Sequence, residues 1–557
     1  MRYFAPIILF LVVFSGYLFT LAPTITMIDS GELATVCAEL GVAHPTGYPL
    51  YTLVGRLFSV IPLGSVAYRL NLLSAILATI GVLLFFVLVR SILNCTFSAF
   101  ATALILAFSR TYWQQAVANE VYILTAVFLI GLMMLLRQFD RTGEGRFFLL
   151  FSFLYGLAFT NHLSIIFSVP AVLYLLFYRR RGLLHNLKWI GSGIILFGLG
   201  LSLYLYLPLR AGQDPFLNWG DPVTLRRLLD HISGKQYQVW MFSENLEALI
   251  ARFGEYLQLV GHQFSIALLL LALLGLGIGF FEQRKFTVFL LVLLVFDVGY
   301  TLNYSIPDID PYYLPSFIVL IFGIGFAIQW VTQHLQQVTS RMWVKRLITA
   351  SSICLFLIPL FLNFRTCDMH RYYFAYDFGL NLLRSAPQKS IVLTRVWDAY
   401  SPLLYQQRIE RRRPEVVMVD LQLFQNRPWY VRQRLSRFPD VFRKVEPEIN
   451  EFLMPLDDFS RGYTDTARLS RTYVALLKAL AYKNQADYQL YALGLDPAGI
   501  EWGFVADFYG ARSGVMLHLS PKPATVFMPE FILRGWTDER VYKDDRTNWY
   551  RRQYLVP

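Results

Sequence analysis

The residues with the clearest capacity for chemistry lie close to the N-terminus. Asp29 and Glu32 stand three apart in Met27-Ile28-Asp29-Ser30-Gly31-Glu32-Leu33, just after an apolar run. A carboxylate held where a chain leaves a bilayer can accept a proton from an attacking hydroxyl. The same spacing also reads as a capping box, with Asp29 as N-cap and Glu32 at the third position of a helix to about Leu40. Next comes His44-Pro45-Thr46-Gly47-Tyr48-Pro49-Leu50-Tyr51. Its prolines exclude a continuous helix and Gly47 permits a tight turn. The segment is either an interfacial loop anchored by Tyr48 and Tyr51, or the mount for His44 as ligand or proton carrier.

Later acids follow the same double logic. Glu120, in Ala118-Asn119-Glu120-Val121-Tyr122, sits at the outer start of an apolar run, where a helix dipole alone would favour it. Asp221 and Asp310 precede prolines and read as N-caps, with Asp308 beside the second. Asp297 is the one acid deep inside an apolar run, where charges are costly and usually functional. Asn161-His162 is a polar pair between two apolar runs, a satisfied turn or a site. Arg56, Arg69, Arg110 and Arg210 stand at span ends on the side poor in basic residues. They either snorkel to headgroups or offer a bidentate fork to a phosphate.

Membrane helices must position these groups. The chain has 557 residues, 55% hydrophobic and 16% charged, against about 25% charged in a soluble chain. The deficit is confined: residues 1–363 hold only 22 of 50 Lys+Arg and 16 of 38 Asp+Glu. We therefore expect a membrane domain over 1–363 and a soluble domain over 364–557, large enough for its own core. The net charge of +12 forms no basic tract with interleaved aromatics, which argues against a nucleic-acid partner. Cys37, Cys95, Cys354 and Cys367 have no metal or disulfide spacing. Without a metal motif or a Gly-rich phosphate loop, no metal and no cofactor is expected.

Apolar runs fall near 4–23, 69–89, 97–112, 121–136, 147–160, 163–178, 189–207, 264–281, 286–304, 313–332 and 347–363. Eleven spans place the N-terminus and the tail on opposite sides. The loops on the N-terminal side carry Arg90, Arg137, Arg141, Arg146, Arg179, Arg180, Arg181, Lys188, Arg284, Lys285, Arg341, Lys345 and Arg346, while the acids cluster opposite. The positive-inside rule then makes the N-terminus cytoplasmic. External loops 24–68 and 208–263 and the tail face the other side, periplasmic or extracellular if the membrane is a bacterial inner membrane. In the tail, Ser390–Thr394 and Val416–Asp420 read as buried strands around a helical stretch near 400–413, a β-α-β pattern in a small α/β domain.

Taken together, these motifs resemble a known family. Asp29-Ser30-Gly31-Glu32-Leu33, His44 through Tyr51, and Arg69-Leu70-Asn71 are similar to the signature of a membrane family long catalogued as a domain of unknown function. That family is related to protein O-mannosyltransferases. Glu120-Val121-Tyr122, Asn161-His162, Asn218-Trp219-Gly220-Asp221-Pro222 and Gly234-Lys235-Gln236-Tyr237 match its later blocks; beyond about residue 430 little is similar. The resemblance implies a GT-C glycosyltransferase, an all-α polytopic bundle with the active site in the first long external loop. It implies a polyprenyl-phosphate sugar donor, an acceptor that is a protein hydroxyl, a lipid or a glycan, and Asp29 in the essential acidic position. On that basis Asp29, Glu32 and Glu120 are the catalytic candidates. His44, Tyr48, Arg56, Arg69, Arg110, Arg210, Asn161 and His162 are the donor-binding candidates. Two other classes compete. A transporter or flippase of lipid-linked sugars would carry ionisable groups near mid-membrane, where only Asp297 sits. A non-enzymatic envelope assembly protein would work through its tail.

Overall fold

The computed structural model describes residues 4–178, 187–460, 462 and 465–555; Arg179, Arg180 and Arg181 fall outside them. Each of the eleven apolar runs coincides with a helix. Six helices are long and apolar enough to cross a membrane: Val66–Leu93, Tyr122–Thr142, Leu187–Ala211, Arg284–Leu302, Asp310–Val338 and Met342–Cys367. Leu246–Phe264 and Ile266–Glu282 form a pair bent by 101°, a broken span or a re-entrant loop. Ala5–Thr20, Thr96–Phe108, Gly145–Phe159 and Leu163–Tyr178 are apolar but shorter. The chain is a multi-pass membrane protein. Asp310–Val338 lies at the centre of the bundle, with 83% of its apolar window buried, and Leu187–Ala211 sits at the periphery. Asp297 is fully buried within Arg284–Leu302, where one carboxylate oxygen accepts the Ser316 N–H at 3.0 Å.

Between the first two membrane helices, the chain forms two short helices, Ser30–Glu39 and Pro49–Ser59. The prolines and Gly47, at φ +90°, break the segment between them as expected. That segment pairs with the loop that follows Leu187–Ala211: the Val42 N–H donates to Leu217 O at 2.7 Å and the Trp219 N–H to Val42 O at 3.2 Å.

The C-terminal part contains a five-stranded sheet in the order β2-β1-β3-β5-β4. The strands are β1 Ser390–Thr394, β2 Val417–Asp420, β3 Gln489–Leu493, β4 Tyr509–Ser513 and β5 Met516–Ser520. β1 runs parallel to β2 and β3 on either side and is buried along its whole length. That is why it reads as a continuous apolar run rather than an alternating one. The helix Trp397–Arg408 links β1 to β2. It ends five residues earlier than the sequence suggests, and Arg411 and Arg413 follow it with positive φ. The boundary drawn at 363 falls inside Met342–Cys367, whose second part, Leu357–Cys367, follows a turn at Leu355 and Phe356 and runs past that boundary.

The two parts pack together closely. From the helix Trp397–Arg408, the Tyr405 hydroxyl accepts the Ala67 N–H at 3.3 Å. Arg408 pairs with Glu39 at 2.9 Å, while its guanidinium lies 4.0 Å from the ring centre of Phe216.

Candidate active site

Asp29 stands at the N-cap of Ser30–Glu39, but its side chain makes no cap hydrogen bond. The capping box is not formed. Instead, Asp29 Oδ1 accepts the indole N–H of Trp397 at 2.7 Å, and Oδ2 lies 3.7 Å from His44 Nε2. Glu32 is fully buried and turns toward the loop: one oxygen accepts the His44 backbone N–H at 2.8 Å, and the other meets His44 Nδ1 at 2.6 Å. His44 Nε2 is 2.9 Å from the Tyr48 hydroxyl. Two carboxylates thus bracket one imidazole, and the broken His44–Tyr48 segment exists to bring it there.

These contacts set the charges. Burial alone would disfavour the imidazolium, but Glu32 and Asp29 outweigh it and push the His44 pKa up to about 9. Burial raises the Asp29 carboxyl above its ordinary range, with Glu32 and Asp398 adding to this and His44 and the Trp397 hydrogen bond opposing it. A raised carboxylate is a stronger base. The donor atoms of Asp29, Glu32 and His44 lie within 4.8 Å of one another, close enough to converge on a metal ion. The expectation of no metal therefore meets a donor set that fits one. In the present geometry Nδ1 of His44 faces Glu32 directly, as in an ion pair.

A second group of carboxylates faces Asp29. Asn119 donates to Ser30 O at 3.0 Å, which fixes Glu120 beside the cluster. Burial raises its pKa well above the usual range, and Asp29 and Asp308 raise it further. Asp308 is pushed up to about 7, first by burial and then by Asp29, with Arg546 opposing. His162 stacks face to face on Tyr48, centroids 5.6 Å apart, and packs against Tyr122 and Tyr312. Those two tyrosines line a narrow cleft of about 20 Å³ between the helices, together with Thr125, Leu129, Ser168 and Ile318.

The other sequence candidates sit differently. Asn161 is buried and donates to Val121 O at 3.1 Å and Thr125 Oγ1 at 2.8 Å. Arg56 donates to Ala38 O, Arg69 to Ser59 O and Ser65 O, and Arg210 to Leu40 O and Glu39 O. Each holds the end of a nearby helix or turn. Arg110 reaches the Tyr542 hydroxyl at 3.5 Å. Asp221 pairs with Arg227.

Several site residues were invisible to sequence reasoning because they lie about 370 residues away. The Ser401 hydroxyl accepts the Glu32 N–H at 3.1 Å. Asp398 accepts the Ile28 N–H at 3.2 Å and is itself held by Arg546 at 3.2 Å and the Tyr550 hydroxyl at 3.0 Å. Trp219, Trp397 and Trp429 form an aromatic wall with centroids 5.5 and 5.7 Å apart, and Trp219 meets the edge of His44. Gly31 makes this meeting feasible. A Cβ there would lie 2.3 Å from Ser401 O.

Comparison with known proteins bears out the resemblance read from the motifs. Residues 29–185 match the model of the protein O-mannosyl-transferase TMEM260 N-terminal domain. The chain is 27% identical over 434 residues to protein O-mannosyl-transferase TMEM260 of Mus musculus, covering 74% of this chain and 62% of that protein. It is 24% identical over 560 residues to the Dictyostelium discoideum protein of the same name, covering 91% and 65%. The chain thus spans under two thirds of the length of the curated relatives it matches. Among solved structures, ArnT from Cupriavidus metallidurans bound to undecaprenyl phosphate superposes with a TM-score of 0.51 at 12% identity, over 79% of this chain and 94% of that one. Its apo form gives 0.50 at 13% identity. The fold is similar to that of ArnT.

Proposed function

We propose that this chain is a membrane glycosyltransferase that moves a sugar from a polyprenyl-phosphate donor to an acceptor hydroxyl, with Asp29 as general base. The observation that carries the reading is the placement of Asp29: a carboxylate raised by burial, released from helix capping, and aimed by Trp397 and His44. In the reaction Asp29 takes the proton of the acceptor hydroxyl, whose oxygen attacks the anomeric carbon. The bond from that carbon to the phosphate oxygen breaks, and polyprenyl phosphate departs. A phosphate leaves readily, so no strong general acid is required, only cations to offset its charge. The His44 imidazolium, held by Glu32, supplies positive charge beside Asp29. The names of the curated relatives and the undecaprenyl phosphate bound to ArnT support the same reaction class.

Asp29→Asn tests the base. Because the side chain caps nothing, the fold should persist while turnover falls about 10²–10⁴-fold, measured as sugar transfer from a polyprenyl-phosphate donor alongside thermal melting. Stable, fully active protein would overturn the assignment. The acid-rich face is proposed to be exoplasmic. A reporter fused after Arg346 should then behave as cytoplasmic and one after Arg365 as exoplasmic; both on one side would refute that orientation.

A further inference from the structure

The site is rich in carboxylates, yet an anionic donor must enter it. Asp29, Glu32, Glu120, Asp308 and Asp398 gather around it, and the cations already placed among them are committed: His44 to Glu32 and Asp29, Arg546 to Asp398. Arg56, Arg69 and Arg210 give their forks to backbone carbonyls.

Arg427 differs from all of these. It lies between the helices Leu421–Asn426 and Pro428–Arg437, with its backbone fixed on both sides: its N–H donates to Leu423 O at 2.8 Å and its carbonyl accepts the Tyr430 N–H at 3.0 Å. The side chain is half-buried. Among the described residues its guanidinium has no carboxylate within pairing distance and makes no hydrogen bond. Burial lowers its pKa and the Tyr237 phenol opposes this; that phenol is raised by burial and then by the charges of Asp29 and Glu32. Two residues on, Trp429 completes the aromatic wall through Trp219 to Trp397 and so to Asp29. Leaving a guanidinium partly desolvated and unpaired costs stability, and such costs concentrate where a ligand supplies the missing partner.

We propose that Arg427 is the guanidinium that receives the phosphate of the lipid-linked sugar, with Trp397 and Trp429 walling the sugar beside it. This rests on the lipid-phosphate donor assigned above. The fork matches a phosphate in a bidentate way, and the aromatic faces present flat apolar surface to a sugar ring.

The test compares binding of a polyprenyl phosphate with that of the neutral polyprenol of equal length, to purified protein in detergent, read by quenching of tryptophan fluorescence. Wild type should prefer the phosphate. Arg427→Gln should weaken phosphate binding about 10- to 100-fold, as for loss of charge-assisted hydrogen bonds, and leave polyprenol binding unchanged. Arg427→Lys should fall between, keeping charge without the fork. Because the guanidinium makes no hydrogen bond or ion pair among the described residues, Arg427→Gln should melt at or above the wild-type temperature, whereas a structural arginine would lose stability. If wild type prefers the phosphate and Arg427→Gln prefers it equally, the assignment of Arg427 is wrong. If wild type shows no preference, the lipid-phosphate donor is wrong and this assignment falls with it.

Discussion

Two stretches meet at the candidate base, and they contribute in different ways. The segment from Asp29 to Tyr51 supplies two carboxylates, an imidazole and a phenol in direct contact. The stretch from Trp397 to Trp429 supplies an indole N–H, a hydroxyl that accepts a backbone N–H, and aromatic walls. One carries reactive charge, and the other fixes where that charge points. Reactivity and aim are thus encoded hundreds of residues apart, so a motif in one half does not by itself make a site.

The sharpest way to break this division is Glu32→Gln. The amide keeps size, but the buried ion pair with His44 is lost. Removing one partner of a buried pair typically costs about 3–5 kcal/mol. The variant should be strongly destabilised in denaturant or thermal unfolding in detergent. A melting curve like that of wild type would mean that Glu32 does not organise the first segment. Next in size is Trp397→Phe, which probes aim without touching reactive charge. Loss of one hydrogen bond to a carboxylate is worth about 1.5–3 kcal/mol, so turnover should fall about 10-fold or more. The hydrogen bond lowers the Asp29 pKa; without it the acid limb of the pH–rate profile should move to higher pH. An unmoved limb would show that Trp397 only fills space. The smallest effect concerns pH and stability. The folded His44 pKa of about 9 lies above the ordinary value near 6.5. Its contribution is therefore fully present below about pH 6.5 and is lost as pH rises through about 9. Unfolding measured across that window should show the decline, and His44→Gln should flatten it.

How much of this was legible in the sequence follows from the same division. The apolar runs announced their helices because a 20-residue hydrophobic stretch has few other destinations. The β1 and β2 strands were plain from their β-branched runs. Asp29, Glu32, His44 and Tyr48 stood out because polar groups and prolines crowd a short stretch after an apolar run. The spacing of Asp29 and Glu32 misled on one point: local reading pairs them with the helix end, while tertiary contacts with Trp397 and His44 prevail. Trp397, Ser401, Arg427 and Arg546 carry no local signal, since an ordinary helix surface would look the same. Their partners are set by topology alone. For the same reason, deleting 364–557 would remove part of the site.

The close seat of Gly31 on the Ser401 carbonyl has a consequence for biosynthesis. The acids emerge from the ribosome early, and Trp397, which aims Asp29, follows 368 residues later. Throughout that interval the buried Glu32 and its neighbours have no roof. A polypeptide released before residue 397 would lack the Trp397 and Ser401 partners of Asp29 and Glu32.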